Sequence, residues 1–298
     1  MNRIDARFAK LKDEGKAAFI PFFTAGDPDR ETTLRLMREA EVAGADVIEL
    51  GIPFSDPIAD GLTIQNSYHR ALESGQTVGD VFEIVREARG GSRAEARGGS
   101  RAEAREGSRA EGRGGSRAEA REGCRLPVVA MVSYSIVFRM GFEGFVARAL
   151  TAGIDGATIP DLPVDEAEGL FAPAEERGFR LICFVAPSTT GARRGLVVRR
   201  ARGFIYYMSV KGITGERALL APDLFENLRE LKALTRVPVA VGFGISRPEQ
   251  AKAVAQAADG VIVGSAIVKR MADARERGED PAEVALEFIH RMSAAVKS

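Results

Sequence analysis

Residues 47–61 read VIELGIPFSDPIADG. The stretch opens as an apolar strand-like run and breaks at Gly51 and Pro53. One acid, Glu49, stands inside the run, and Asp56 and Asp60 follow in a loop stiffened by Pro53 and Pro57. Strand alternation gives Glu49 the same face as Val47 and Gly51, and gives Ile48 and Leu50 the other. If Ile48 and Leu50 pack outward on helices, Glu49 points inward.

Outward from this stretch the chain keeps a regular beat. Strand-type runs fall at 18–24, 46–51, 128–133, 156–160, 180–185, 203–209, 238–242 and 260–263. Between them lie segments with helical periodicity, marked by Leu34, Leu36, Met37 and Ala40, by Phe142, Phe145, Val146 and Leu150, and by Leu228, Leu231 and Leu234. Strands alternating with helices imply parallel pairing through crossover connections. Eight such units favour an α/β fold of the closed (β/α)8 TIM-barrel type over an open doubly wound sheet, as a single domain over 1–298. One extra amphipathic helix, at about residues 3–13, precedes the first strand.

Residues 90–123 break the pattern with an eight-residue repeat of the form GGSRAEAR. This low-complexity insert has almost no large apolar side chain, cannot offset its ordering entropy as a packed unit, and reads as a flexible loop expansion. Its glutamates cancel most of the arginine charge and no aromatics are interleaved, which argues against nucleic-acid binding. The insert follows the second helix, ending near Ala88, and precedes the third strand. That connection belongs to the N-terminal face of a barrel, away from chemistry. Cys124, at its end, reads as an incidental surface thiol.

Composition sets the class. The 298 residues carry 42 basic and 42 acidic side chains, so no global field draws in nucleic acid or an anionic membrane. The two cysteines form neither a disulfide framework nor a metal spacing. The N-terminus is charged and amphipathic rather than a signal peptide, and no apolar run is long enough to span a membrane. A cytoplasmic location is expected.

In a barrel, function lies at the C-terminal strand ends. Glu49 there is either an acid/base, its pKa raised by desolvation, or a structural carboxylate paired with a Lys or Arg. Asp60 is a second acid or a turn cap. Asp27 and Asp161 read as turn or helix caps. The last three strands are followed by KGITGE (211–216), GFGIS (242–246) and GSAIV (264–268). These glycines let backbone amides approach an anion, and a short helix opening at AIVKRM would point its N-terminus there. This is the usual phosphate cradle of the fold, and with the acids opposite it suggests an enzyme acting on a small phosphorylated metabolite. Lys211 is the one lysine with a Schiff-base setting. His69 and His290 fall in helical segments, Cys183 reads as packing, and no metal cluster is visible.

With these residues in place, the sequence resembles the alpha subunit family of tryptophan synthase over nearly all of the chain except 90–123. The motif ELGIPFSDPIADG followed by TIQ (49–65) carries most of the resemblance, supported by FIPFFTAGDP (19–28), GITGE, GFGIS and GSAIVK. The resemblance implies a lyase without metal or cofactor, cleaving indole-3-glycerol phosphate to indole and glyceraldehyde 3-phosphate by a retro-aldol reaction. It implies Glu49 as the main acid/base and Asp60 as the partner of the indole N–H. Phosphate is expected on the amides of Gly215, Gly244, Gly264 and Ser265. Phe22, Tyr206 and Phe243 would line the pocket, and Thr214 would close its loop against Asp60. The partner implied is a beta subunit in an alpha2-beta2 heterotetramer, which alone holds pyridoxal phosphate and receives the indole. The sequence departs from the family pattern at Leu62, where Pro is usual, at Ser133 and Ser135, where Tyr and Asn are usual, and in the insert.

Overall fold

The computed structural model describes residues 1–90, 123–209, 222–242 and 244–298. The strands are β1 Ala18–Thr24, β2 Ile48–Gly51, β3 Val128–Met131, β4 Gly156–Thr158, β5 Arg180–Val185, β6 Ile205–Met208, β7 Val239–Gly242 and β8 Gly260–Val263. They pair in parallel, each with the next in sequence, and β8 returns to β1 to close the barrel. The expected (β/α)8 barrel is therefore present, with all eight strands where the apolar runs lie. Several ladders are shorter than their runs: the second begins at Ile48, and just before it Asp46 is tied to Phe19 of β1, its carboxylate accepting from the Phe19 amide (2.8 Å) and its own amide donating to Phe19 O (2.9 Å).

The described helices are α1 Arg3–Asp13, α2 Arg30–Glu39, α3 Leu62–Glu73, α4 Val78–Ala88, α5 Tyr134–Met140, α6 Phe142–Ala152, α7 Glu168–Glu176, α8 Gly191–Arg200, α9 Leu224–Leu234, α10 Pro248–Ala255, α11 Ser265–Glu276 and α12 Pro281–Val296. The helix expected before the first strand is α1. Its Asn2 side chain caps the Ile4 amide, and Ile4, Phe8 and Leu11 form a buried stripe. That stripe packs on inward-facing Ala18, Ile20, Val47, Val129, Ile182 and Ile262, so α1 plugs the N-terminal end of the barrel. Outward-facing Phe19, Phe23, Ile48 and Leu50 join the second core layer under the helices. The inward face of β2 thus carries Val47, Glu49 and Gly51, as alternation requires.

Two sequence expectations are corrected and a third is narrowed. Helix α11 is not a short piece before a loop. Ala266, Ile267, Met271 and Ala274 keep it buried through twelve residues, and Gly278 at φ 71° follows its end. Cys124 is not a surface thiol but buried, because the chain re-enters the barrel beneath Arg89. The Arg89 guanidinium donates to the carbonyls of Cys124 (2.8 Å), Leu126 (2.6 Å) and Gly153 (2.8 Å) and pairs with Asp155 (3.2 Å). Of the two readings of Asp27, the turn holds, its amide donating to Thr24 O at 3.3 Å, and the helix cap does not. Asp27 is buried in a two-pronged ion pair with Arg70 of α3 (2.8 Å each), while Asp29 caps α2.

Gly90 and Gly123, the roots of the repeat, lie side by side at the N-terminal face. A Cβ built on Gly123 would stand 2.5 Å from the Arg89 carbonyl oxygen and 2.9 Å from the Gly90 nitrogen. The repeat itself, residues 91–122, lies outside the described residues.

Candidate active site

Glu49 is 2% exposed and points into the C-terminal mouth of the barrel. It pairs in register with Phe22 of β1 and Val129 of β3. No lysine or arginine meets it among the described residues, so the ion-paired structural reading falls away. Its hydrogen-bond partner is Thr158 of β4, whose Oγ1 donates to Glu49 Oε1 at 3.0 Å. Burial without a counter-charge pushes the Glu49 carboxyl up to about 8, against the lowering effect of Thr158. The group therefore holds a proton at neutrality and gives it up at little cost, which suits an acid that must also act as a base.

Asp60 enters from the loop above. Its main chain is held by Gln65, whose side-chain amide donates to the Asp60 carbonyl at 2.7 Å, and by its own amide donating to Pro57 O at 3.1 Å. Its carboxylate caps no turn and has no hydrogen-bond partner among the described residues. It faces a cleft lined also by Phe54, Tyr68, Met131, Ser133 and Asp161. Burial, helped by the charge of Asp161, pushes the Asp60 carboxyl up to about 7. Two carboxyls, both raised chiefly by burial, thus share one mouth, where either can exchange a proton near neutrality.

The walls are aromatic. Phe22 is buried, and a Cβ on Gly51 or Gly264 would meet its ring at 2.7 Å and 3.2 Å. Those two glycines make the room for Phe22. Tyr206 of β6 is buried beside both acids, whose charges join burial in holding its phenol protonated. A Cβ on Gly242 would stand 2.3 Å from its hydroxyl oxygen, so Gly242 is required by close approach rather than by a turn. Phe184 of β5 leans on Tyr206 with ring centroids 4.8 Å apart.

Across Phe22 from β2, at the end of β8, Gly264 precedes α11 and Ser265 is its first residue. The first bonds of the helix run from the Ile267 and Val268 amides to Gly264 O, so the Ser265 and Ala266 amides have no intrahelical acceptor. Gly244, after β7, holds φ at 78°, a conformation glycine favours. These amides and the positive end of α11 are chemically suited to an anion beside Phe22. Gly215, Thr214 and Lys211, in the connection after β6, and Phe243 lie outside the described residues.

Sequence reasoning missed Tyr68, Thr158 and Phe184 in the mouth. Thr158 was signalled by a polar residue alternating with Gly156 inside GATIP, and Tyr68 by its i,i+4 spacing from Ile64. Asp161 does act as a cap, but for a helix on another unit: it accepts from Ser133 Oγ (2.6 Å) and from the Tyr134 amide (2.8 Å) at the start of α5. Ser133 therefore has a structural task, whereas Ser135 is exposed. His69 and His290 are exposed on α3 and α12, away from the barrel interior. Cys183 is buried packing, its thiol pushed up to about 12 by burial.

The geometry agrees with comparisons to known proteins. Residues 8–94 and 116–297 match the family model described as tryptophan synthase alpha chain. The chain is 40% identical to the tryptophan synthase alpha chain of Rhodopirellula baltica over 304 aligned positions, covering 99% of each. It is 43% identical to that of Citrifermentans bemidjiense, covering 90% of this chain and 89% of the relative. A crystal structure of tryptophan synthase subunit alpha from Legionella pneumophila superposes with a TM-score of 0.81 at 34% identity, covering 99% and 98% of the two chains. A closed barrel with this mouth, matched along almost its whole length, is a member of the tryptophan synthase alpha chain family.

Proposed function

We propose that Glu49 and Asp60 are the groups with which this chain cleaves indole-3-glycerol phosphate. The activity follows from the family: the chain is a lyase of tryptophan biosynthesis that releases indole and glyceraldehyde 3-phosphate. The observation that carries the assignment is Glu49, buried in the barrel mouth with its carboxyl raised to about 8 and no counter-charge.

The chemistry balances on one proton. Protonated Glu49 delivers its proton to indole C3, and the ring becomes an iminium whose N–H faces ionised Asp60. The Glu49 carboxylate then takes the proton of the hydroxyl on the carbon attached to C3. That oxygen's electrons form the aldehyde, the carbon–carbon bond breaks, and its pair returns to the ring as indole. Glu49 ends protonated, as it began. The phosphate rests on the amides of Gly244, Gly264 and Ser265, joined by Gly215, while Phe22, Tyr206 and Phe243 hold the indole and glycerol. Thr214 closes its loop toward Asp60, excluding water. No step calls on a cofactor in this chain.

The partner we assign is a beta subunit holding pyridoxal phosphate, in an alpha2-beta2 heterotetramer in the cytoplasm. Three large apolar side chains support this. Ile58, Leu62 and Phe138 are 72%, 73% and 74% exposed, all on the connections after β2 and β3 at the rim of the mouth. Leu62, which replaces the usual proline, adds to that apolar surface as the first residue of α3. The roots of the repeat, Gly90 and Gly123, lie at the opposite face, so the repeat is left out of both roles.

The test is indole release by the purified chain supplied with indole-3-glycerol phosphate, with and without a beta subunit. Indole in both cases, faster with the partner, is expected. A folded chain that releases none in either case, yet speeds the partner's own reaction, would make it a silent activator instead.

A further inference from the structure

Tyr68 sits in the mouth without a part in the mechanism above. It is 3% exposed and belongs to a small cluster with Phe22, Ile64, Met131 and Val268. A Cβ on Gly51 would stand 3.0 Å from its Cε1, so its ring covers the strand two residues beyond Glu49 on the same face. It also lines the cleft that Asp60 faces.

Its placement is rigid. Helix α3 is clamped on both sides of Tyr68. Ser67 Oγ shares a 2.6 Å hydrogen bond with Thr24 Oγ1, and Arg70 grips Asp27. Asp60 lies just before Gly61, which caps this helix. Helical side chains tilt toward the N-terminus, so the Tyr68 phenol leans back along α3 toward Asp60. Burial and the charges of Asp60 and Glu49 all oppose its ionisation, so it stays a neutral donor. Neither the phenol nor the Asp60 carboxylate has a hydrogen-bond partner among the described residues.

We infer that Tyr68 is a positioning residue, its phenol donating a hydrogen bond to the Asp60 carboxylate and holding it aimed at the substrate's N–H. A side-chain rotation of Asp60, whose main chain Gln65 keeps in place, completes the pair. The role of Asp60 in this inference rests on the lyase reading; the hydrogen bond does not. The other groups acting on Asp60 are Asp161, from the connection after β4, Glu49 on β2 and Tyr206 on β6. All are acids or neutral donors, so removing the phenol is not masked by a neighbouring cation.

The experiment is Tyr68→Phe in the full chain, which keeps the ring against Gly51 and Phe22. Asp60 is followed in the ligand-free protein by carbon-13 carboxylate NMR, and indole release is followed against pH. A hydrogen bond to the charged form lowers a carboxyl's pKa. Its loss should therefore raise the Asp60 titration and the acidic limb of the profile together, by about one pH unit, a tenfold change in the equilibrium. In an Asp60→Asn background, Tyr68→Phe should then have little further effect. Superimposable titrations in the two proteins, or an equal loss in both backgrounds, would overturn the inference. The NMR titration needs no substrate, so an inactive wild-type chain would sink the lyase reading without touching this result.

Discussion

Replacing Glu49 by Gln removes one titrating proton from the barrel mouth and keeps the side chain's shape. The consequence for stability has a defined sign. The native carboxyl titrates at about 8, against 4.5 for the ordinary group. Between those values the folded chain holds a proton that the unfolded chain has released, so the wild-type protein loses stability as pH rises through this window. The gap is about 3.5 pH units, and each unit corresponds to about 1.4 kcal/mol. The Gln variant lacks this slope. Its advantage over wild type should grow by about 3 kcal/mol between pH 5.5 and 7.5 and level off above pH 8, near 5 kcal/mol in all. Urea unfolding of both proteins at pH 5.5, 6.5, 7.5 and 8.5 measures it, with Asp60 present in both so that its own titration largely cancels. Parallel stability curves would refute the reasoning, since they would mean that Glu49 titrates alike in the folded and unfolded chains.

Three further outcomes are expected. Activity should rise as Asp60 ionises near pH 7 and fall as Glu49 ionises near pH 8, a narrow bell whose acidic limb disappears in Asp60→Asn; a flat profile from pH 6 to 9 would separate the two acids from the rate. Arg70→Ala leaves Asp27 buried and unpaired, and chemical denaturation should show a loss of about 3–5 kcal/mol; a loss under 1 kcal/mol would show that the pair contributes little. Exchanging 91–122 for a two-glycine link should leave the melting temperature nearly unchanged and indole release within about twofold, because the roots already touch at the face opposite the mouth; a large loss of activity would overturn that placement.

The barrel was legible because each strand is an apolar run punctuated by turn residues, and because the eight runs recur with helices between them. Glu49 was legible for the same reason: alternation alone assigns it to the inward face. Contacts made across long sequence separations were not. Asp27 looks like a cap until Arg70 arrives from α3, 43 positions away, and Cys124 looks exposed until Arg89 folds over it. Tyr68 could be placed on a helix but not in the mouth, because which helix face meets the barrel is decided by the Ser67–Thr24 bond between elements. The break between α3 and α4 was also missed, although Gly75 at φ 84° lies in it. The glycines expected to hold phosphate were picked out by their position after the last strands. The structure adds that Gly264 and Gly242 are further constrained by the rings of Phe22 and Tyr206.

The measurement closest to the central claim is the rate of indole release from indole-3-glycerol phosphate by Glu49→Gln at pH 7.5, alongside wild type. The variant should keep the fold and bind substrate on the same phosphate rim. A single positioned acid/base contributes roughly 10²–10⁴ in rate, and Glu49 serves in both proton transfers, so a loss at or beyond the upper end is expected. Release within a few-fold of wild type would contradict the assignment of Glu49 as the acid and base of this site.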